Sequence, residues 1–541
     1  MTYDKKNFRG DMSGGLIAGI IALPLALAFG VQSGMGAEAG LYGAIAVGIF
    51  AAMFGGTPTQ ASGPTGPMTV VSAAIVVYAI DATGDLESGL GIVLLSFLFG
   101  GIFQIGLGLL GVGKYIRYFP YPVISGFMSG VGLIIIILQL WPLLGSSSPK
   151  STIEVFTKIS DPLSSINGWA VALGVLTLAV NYTFPLITKK VPSVLVALLV
   201  GTGVALLLNL NVPTIGDIPS GFPSLQIDSF WSVASEHYVF ILQSGLTLAL
   251  LGSIDSLLTS VIADNITKDR HDSRRELIGQ GIGNVVGSMF GGIPGAGATK
   301  GTVVAINAGA KTRLSGITHG LFQLLALLGL GALVSEIPLS VLAGLLISVG
   351  IAIIDRRSLT HLKYVPRADV AVMLVVLAWT VFGNLIHAVA VGVVLASVLF
   401  MKKSSDLAEA ESTVERIETE PAWDDEIDLG NDRSVYVKHL YGPLFFGFTS
   451  GFRDLADSLP KDASTVVVRM ERVPSVDQSG LYMLEDTILQ LSQAGTEVAL
   501  TGLQPQPGDM LRRIGIVPNL VPEDRVFDSF EGFSERVQAP I

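Results

Sequence analysis

Gly63-Pro64-Thr65-Gly66-Pro67-Met68-Thr69-Val70-Val71 and its counterpart Gly295-Ala296-Gly297-Ala298-Thr299-Lys300-Gly301-Thr302-Val303-Val304 decide the fold of this chain. Each is a Gly/Pro-interrupted opening to an apolar run, so a helix starts partway through a hydrophobic segment. Backbone that leaves the helix at membrane depth is tolerated only where protein buries it or a cavity receives it. The freed N–H groups at a half-helix N-terminus can hold an anion, and paired broken segments are the best sequence pointer to a carrier's binding site. A pair of re-entrant packing turns would look similar, but the matched placement of the two stretches favours a site.

Outward from this pair, the chain reads as a polytopic α-helical membrane protein. Half of its 541 residues are hydrophobic, only 14% are charged, and the mean hydropathy is +0.61, too apolar for a soluble enzyme of this length. On the length rule for spans, about fourteen segments fit between Met12 and Lys403. They begin near Ser13, Gly40, Pro58, Gly91, Pro122, Gly168 and Pro192, then near Val239, Glu276, Pro294, Arg313, Pro338, Ala368 and Leu385. The broken stretches open the third place of each half.

Alternate connections carry the Lys and Arg: Lys5, Lys6 and Arg9; Lys114 and Arg117; Lys189 and Lys190; Lys268 to Arg275; Lys311 and Arg313; Arg356 to Arg367; and Lys402 with Lys403. By the positive-inside rule these ends face the cytoplasm, and the acidic stretch with Asp217, Asp228 and Glu236 lies outside. Both termini are expected in the cytoplasm, and the N-terminus lacks a cleavage-site pattern. The expected organisation is a transport domain over residues 1–403, a solvated acidic linker over 404–431 and a small α/β domain over 432–541. In that last domain Val435–Leu440, Leu444–Phe448, Thr465–Met470 and Glu497–Leu500 read as strands. Ser450–Ser458, Ser479–Ala494, Pro507–Ile514 and Asp528–Val537 read as helices.

Asp255 is the ionisable residue that stands out deep in the membrane body. An aspartate at a helix centre costs about 2.5–3.5 kcal/mol on insertion scales, so it is usually kept for a pathway or coupling role. Thr259, four residues on, shares its helix face. A carboxylate, a hydroxyl and freed carbonyls suit sodium, and they suit a proton equally well. Lys300, in the first turn of the second half-helix, would add to its positive N-terminal potential; snorkelling into a vestibule explains it as readily. His319 and His387 are lone histidines without an assigned role. There are no cysteines and no Walker A, HExxH or GxSxG pattern, which removes thiol chemistry and leaves a membrane enzyme without residues to run on. The net charge of −11 argues against nucleic acid. A passive anion channel is the nearer rival, disfavoured because a bare Asp255 would oppose anion flow.

Ala22-Leu23-Pro24-Leu25-Ala26-Leu27-Ala28-Phe29, Gly63 to Val71 and Glu276-Leu277-Ile278-Gly279-Gln280-Gly281-Ile282-Gly283-Asn284 resemble the SulP family of anion transporters over nearly the whole chain. The resemblance implies fourteen spans in two inverted seven-segment repeats, a core domain moving against a gate domain, and a cytoplasmic STAS domain. Gly252 to Thr259 and Gly291 to Thr299 are similar to the BicA type, sodium-dependent bicarbonate transporters. That likeness implies sodium held by Asp255, Thr259, Gly297, Ala298 and Thr299, with the anion between Thr65 and Thr69 on one side and Ala298 and Thr299 on the other. Many members carry an arginine where this chain has Gly301, so the basic residue is shifted to Lys300. Val476-Asp477-Gln478-Ser479-Gly480 resembles the STAS turn with Gln478 in place of the phosphorylated serine, which implies docking or dimerisation. The reading is a homodimeric sodium–bicarbonate symporter in a bacterial inner membrane, with sodium as coupling ion and no cofactor. The alternative is a proton-coupled or exchanging carrier of sulfate or a dicarboxylate.

Overall fold

Two short antiparallel strands organise the membrane body: β1 (Ser62–Pro64) pairs with β2 (Gly295–Gly297), placing Ser62 opposite Gly297 and Pro64 opposite Gly295. A Cβ on Gly295 would run into the Gly63 backbone, so the strands close only on glycine. Each strand runs straight into a helix, α3 (Gly66–Thr83) after β1 and α10 (Thr299–Asn307) after β2. These third and tenth segments become helical only at Gly66 and Thr299, later than the expected openings near Pro58 and Pro294. A turn at Pro58–Thr59 and the extended strands Ser62–Pro64 and Gly295–Gly297 occupy the intervening positions.

The computed structural model describes residues 5–113, 120–149, 151–188, 191–216, 221–383, 385–411, 414–416, 435–445 and 463–538. Lys114, Arg117, Lys189, Lys190, Asp217, most of the acidic run, the part of the Leu444–Phe448 strand reading beyond residue 445 and the helix expected over Ser450–Ser458 lie outside them. The other membrane helices are α1 (Phe8–Ser33), α2 (Ala37–Phe54), α4 (Leu86–Leu109), α5 (Tyr121–Leu138), α6 (Gly168–Ile187), α7 (Ser193–Leu207), α8 (Tyr238–Thr267) and α9 (Ser273–Met289). They continue with α11 (Leu314–Val334), α12 (Leu339–Ile353), α13 (Arg367–Phe382) and α14 (Leu385–Glu411). Every expected segment therefore holds a helix, and among the described residues eight helical stretches are long and apolar enough to cross a membrane.

Packing sorts these helices into two bundles. In one, α9 lies against α2 and α4, α8 against α4, and α1 against α2, α10 and α11. In the other, α5 packs on α12 and α13, and α6 on α7 and α12. The first bundle carries both half-helices.

The chain divides into compact units Met1–Ala396 and Ser397–Ile541. The second holds a sheet of order β3 (Val414–Arg416), β4 (Val435–Tyr441), β5 (Thr465–Arg472), β6 (Glu497–Thr501) and β7 (Val526–Phe527). Only the β3–β4 pair is antiparallel. The helices are α15 (Gln478–Gln493), α16 (Pro505–Arg513) and α17 (Phe530–Gln538). Leu440, Val466, Val468, Leu484 and Leu500 fill its core. Asp477 caps α15 by accepting the Gly480 N–H at 2.8 Å. The stretch expected as a solvated linker over 404–431 is helical to Glu411 and supplies β3, because Val414, Glu415 and Arg416 pair with Lys438, Val437 and Tyr436 of β4. Leu444 makes an isolated bridge to Val476.

Candidate functional site

The two half-helices begin on opposite sides of the strand crossing. Thr65 precedes α3 in extended geometry (φ −123°, ψ 159°) and Ala298 precedes α10 (φ −93°, ψ 102°). The first intrahelical bonds run from Thr69 N–H to Thr65 C=O and from Thr302 N–H to Ala298 C=O. The amides of Gly66, Met68, Thr299, Lys300 and Gly301 thus fall in first turns, where no intrahelical acceptor exists; Pro67 has no N–H to offer. Two positive helix ends therefore flank the paired strands, an arrangement that favours negative charge.

Oxygen atoms gather beside the second of them. The Thr259 hydroxyl donates to the Gly297 carbonyl at 2.9 Å and sits 2.7 Å from the Thr299 hydroxyl. Gly297 is fixed in turn, because its N–H donates to Ser256 Oγ at 3.0 Å and a Cβ there would strike the Gln60 amide and Ser256 Cα. Asp255 lies one turn above Thr259 on α8. Its carboxylate faces the Thr65 hydroxyl, and it lines a cavity with Pro67, Phe127, Met128 and Leu251 that reaches from the half-helix bundle to α5. The Thr65 hydroxyl is 91% buried yet has no hydrogen-bond partner of good geometry. A buried hydroxyl left open beside a carboxylate and a helix N-terminus is a place where a ligand completes the bonding.

The structure thus sets Asp255 against Thr65 and, one turn along α8, Thr259 against Gly297 and Thr299. Ala298 is adjacent, with its own N–H donated to the Ala61 carbonyl at 2.8 Å. Thr69 is turned away: its hydroxyl donates to Thr65 C=O at 2.8 Å, within its own helix. Lys300 is exposed and borders a different cavity with Leu25, Ser62, Gly63 and His319. His319 is buried there with neither ring nitrogen hydrogen-bonded in good geometry, whereas His387 is exposed. Sequence reasoning missed Ser256, which holds Gly297, and Thr302, whose hydroxyl accepts the Ala61 N–H at 3.1 Å. The signal was present: Ser253, Ser256, Thr259 and Ser260 form a hydroxyl-rich stretch of an otherwise apolar helix around Asp255.

Two helices that each start from one of a pair of crossing strands inside an apolar helical body, with a carboxylate beside the start of the first, define a transporter of the crossed half-helix class. The chain belongs to the sulfate permease family, whose family model matches residues 8–376, and it carries a STAS domain over residues 426–532. It is 40% identical to the bicarbonate transporter BicA of Picosynechococcus sp., over 98% of this chain and 95% of that protein. The solved transmembrane domain of a cyanobacterial BicA is 42% identical, with a TM-score of 0.66 over 73% of this chain and 98% of that one. The overall structure of SLC26A9, 20% identical, shares the fold with a TM-score of 0.83 over 99% of this chain and 91% of that one. The protein is a multi-pass membrane transporter, not an enzyme, with the helical transporter fold and the C-terminal STAS domain that the SulP resemblance implied.

Proposed function

We propose that this transporter imports bicarbonate together with sodium. The oxygens of Thr259, Gly297 and Thr299, with Asp255 one turn away on α8 beside Thr65, carry the reading. One carboxylate among neutral oxygens balances one monovalent cation, and hard oxygens suit sodium. Among the described residues no set of three or more His, Asp or Glu side chains converges as a metal site, in keeping with a singly charged ion. Sodium beside Asp255 cancels the charge that would repel an anion, and the free first-turn amides with the open Thr65 hydroxyl then hold a small planar oxyanion. The identity to BicA supports bicarbonate as that oxyanion.

In this reading the half-helix bundle rocks against the bundle of α5–α7 and α12–α14, exposing the crossing to each side in turn. The protein works in a bacterial inner membrane with both termini cytoplasmic, and it dimerises through the STAS domain. Uptake of labelled bicarbonate, sulfate and fumarate into proteoliposomes, with and without a sodium gradient, tests the proposal. Bicarbonate uptake that rises with sodium is expected. Sulfate uptake without bicarbonate uptake would defeat the substrate assignment, and a rate that follows the pH gradient and ignores sodium would defeat the coupling.

A further inference from the structure

One face of α9 carries Glu276, Gln280 and Asn284 at intervals of four, all buried. Four residues along a helix advance about 6 Å and keep the same side, so the three side chains stand one above another. Each grips a successive part of the crossing. Glu276 takes the strap that leads into β1: one carboxylate oxygen accepts the N–H groups of Gly56 and Thr57, each at 2.8 Å. Its other oxygen accepts the side-chain amides of Gln60 at 2.8 Å and Gln280 at 2.9 Å. Gln280 also donates to Ser62 Oγ, in β1, at 2.6 Å.

Asn284 takes β2. Its amide oxygen accepts the Gly295 N–H at 2.8 Å and its NH₂ donates to the Gly295 carbonyl at 3.0 Å and to Gln104 at 2.9 Å. Gly295 stands opposite Pro64, which has no N–H to give. The Asn284 side chain therefore does for Gly295 what a neighbouring strand would do.

The ladder reaches the ion ligands through short links. Gln60 accepts from Ser260 at 2.9 Å on α8, and its amide lies where a Gly297 Cβ would go. Gln280 holds Ser62, the partner of Gly297 across the strands. A carboxylate buried for packing alone would be costly. This carboxylate is saturated with donors, and all of them come from the strap or from the ladder itself.

We infer that Glu276, Gln280 and Asn284 are positioning residues that set the spacing of the two half-helix N-termini, and through it the affinity for the transported ions. The inference rests on the crossing being the ion site. Glu276→Gln swaps one acceptor oxygen for an NH₂ that must face donors on either side, and Asn284→Ala releases Gly295 without adding a clash. Uptake kinetics in proteoliposomes, normalised to folded transporter by size-exclusion chromatography, read the result with labelled bicarbonate and labelled sulfate as probes. In both variants the anion KM should rise about tenfold or more, as expected when a charge-assisted or paired buried contact is lost, with the maximal rate much less affected. Ser288→Ala, on the same helix, removes a hydroxyl bonded only to Val285 C=O, so its KM should match wild type. Where Glu276→Gln fails to fold, Asn284→Ala decides. An unchanged KM in folded Asn284→Ala, with loss confined to yield or maximal rate, would overturn the inference. Wild type that moves only sulfate would instead overturn the bicarbonate reading, and the KM comparison then stands on sulfate.

Discussion

Thr259→Val keeps the shape of the side chain and removes its hydroxyl. Thr259 is fully buried, and its Oγ1 meets the Gly297 carbonyl at 2.9 Å and the Thr299 hydroxyl at 2.7 Å. Because Thr259 is buried, each partner left without its bond costs about 1–3 kcal/mol. One such loss on the sodium-bound side corresponds to roughly a 5- to 150-fold weaker sodium site. The carbonyl itself should stay in place, because Ser256 holds the Gly297 N–H and β1 holds the strand. The assay is bicarbonate uptake against sodium concentration in proteoliposomes. If sodium and the anion assist each other, linkage requires equal factors in both directions. The variant's anion KM should therefore be raised at low sodium and return to the wild-type value at saturating sodium. Thr69→Val is the comparison, since that hydroxyl is spent within α3 and should shift neither affinity more than about twofold. A sodium half-saturation in Thr259→Val within about twofold of wild type would refute the reasoning. An anion KM that stays raised at saturating sodium would move Thr259 from the cation to the anion.

Three other perturbations follow from the same geometry. In the proposed symport, Asp255→Asn would remove both a sodium ligand and the repulsion on the anion, so sodium-driven accumulation should vanish while weak sodium-independent anion binding remains; persistent sodium dependence of uptake would place the coupling ion elsewhere. Gly297→Ala pushes a methyl into the Gln60 amide and Ser256 backbone, and uptake should fall at least about tenfold in protein that still folds; near-normal uptake would show that the crossing tolerates bulk. Asp355, just beyond α12, is raised by its partial burial but lowered more strongly by hydrogen bonds from Ser358, Ser125 and Tyr121, which bring it to about 2. Because the folded value lies below the ordinary 3.8, its contribution to stability is present above 3.8 and is lost as pH falls toward 2. Thermal unfolding in detergent should show a smaller gap between wild type and Asp355→Asn at pH 3 than at pH 6, and an equal gap at both would refute the clamp.

Much of this architecture was legible in the sequence because its signals are local. Apolar runs between basic ends marked the segments, glycine and proline marked the two breaks, and Asp255 stood out against the apolar cost of holding it. Thr259 could be joined to Asp255 by helix periodicity alone, since a spacing of four residues fixes a shared face. The STAS region was readable in the same way, from alternating and helical periods that need no partner.

Contacts across the chain were beyond that reach. Nothing near Thr69 distinguishes it from Thr65, yet one hydroxyl turns back into α3 and the other is left open beside Asp255. That choice depends on where α8 passes. Glu276, Gln280 and Asn284 were visible as residues of a motif, but their partners at Gly56, Ser62 and Gly295 come from other segments. β3 sat inside an apparent linker because its pairing with β4 is nonlocal. The sequence by itself determined where helices break and where charge is buried, since those follow from the chemistry of single residues and their period. Only the tertiary structure decided which oxygens converge, because a hydrogen bond has a direction and a length that folding alone sets.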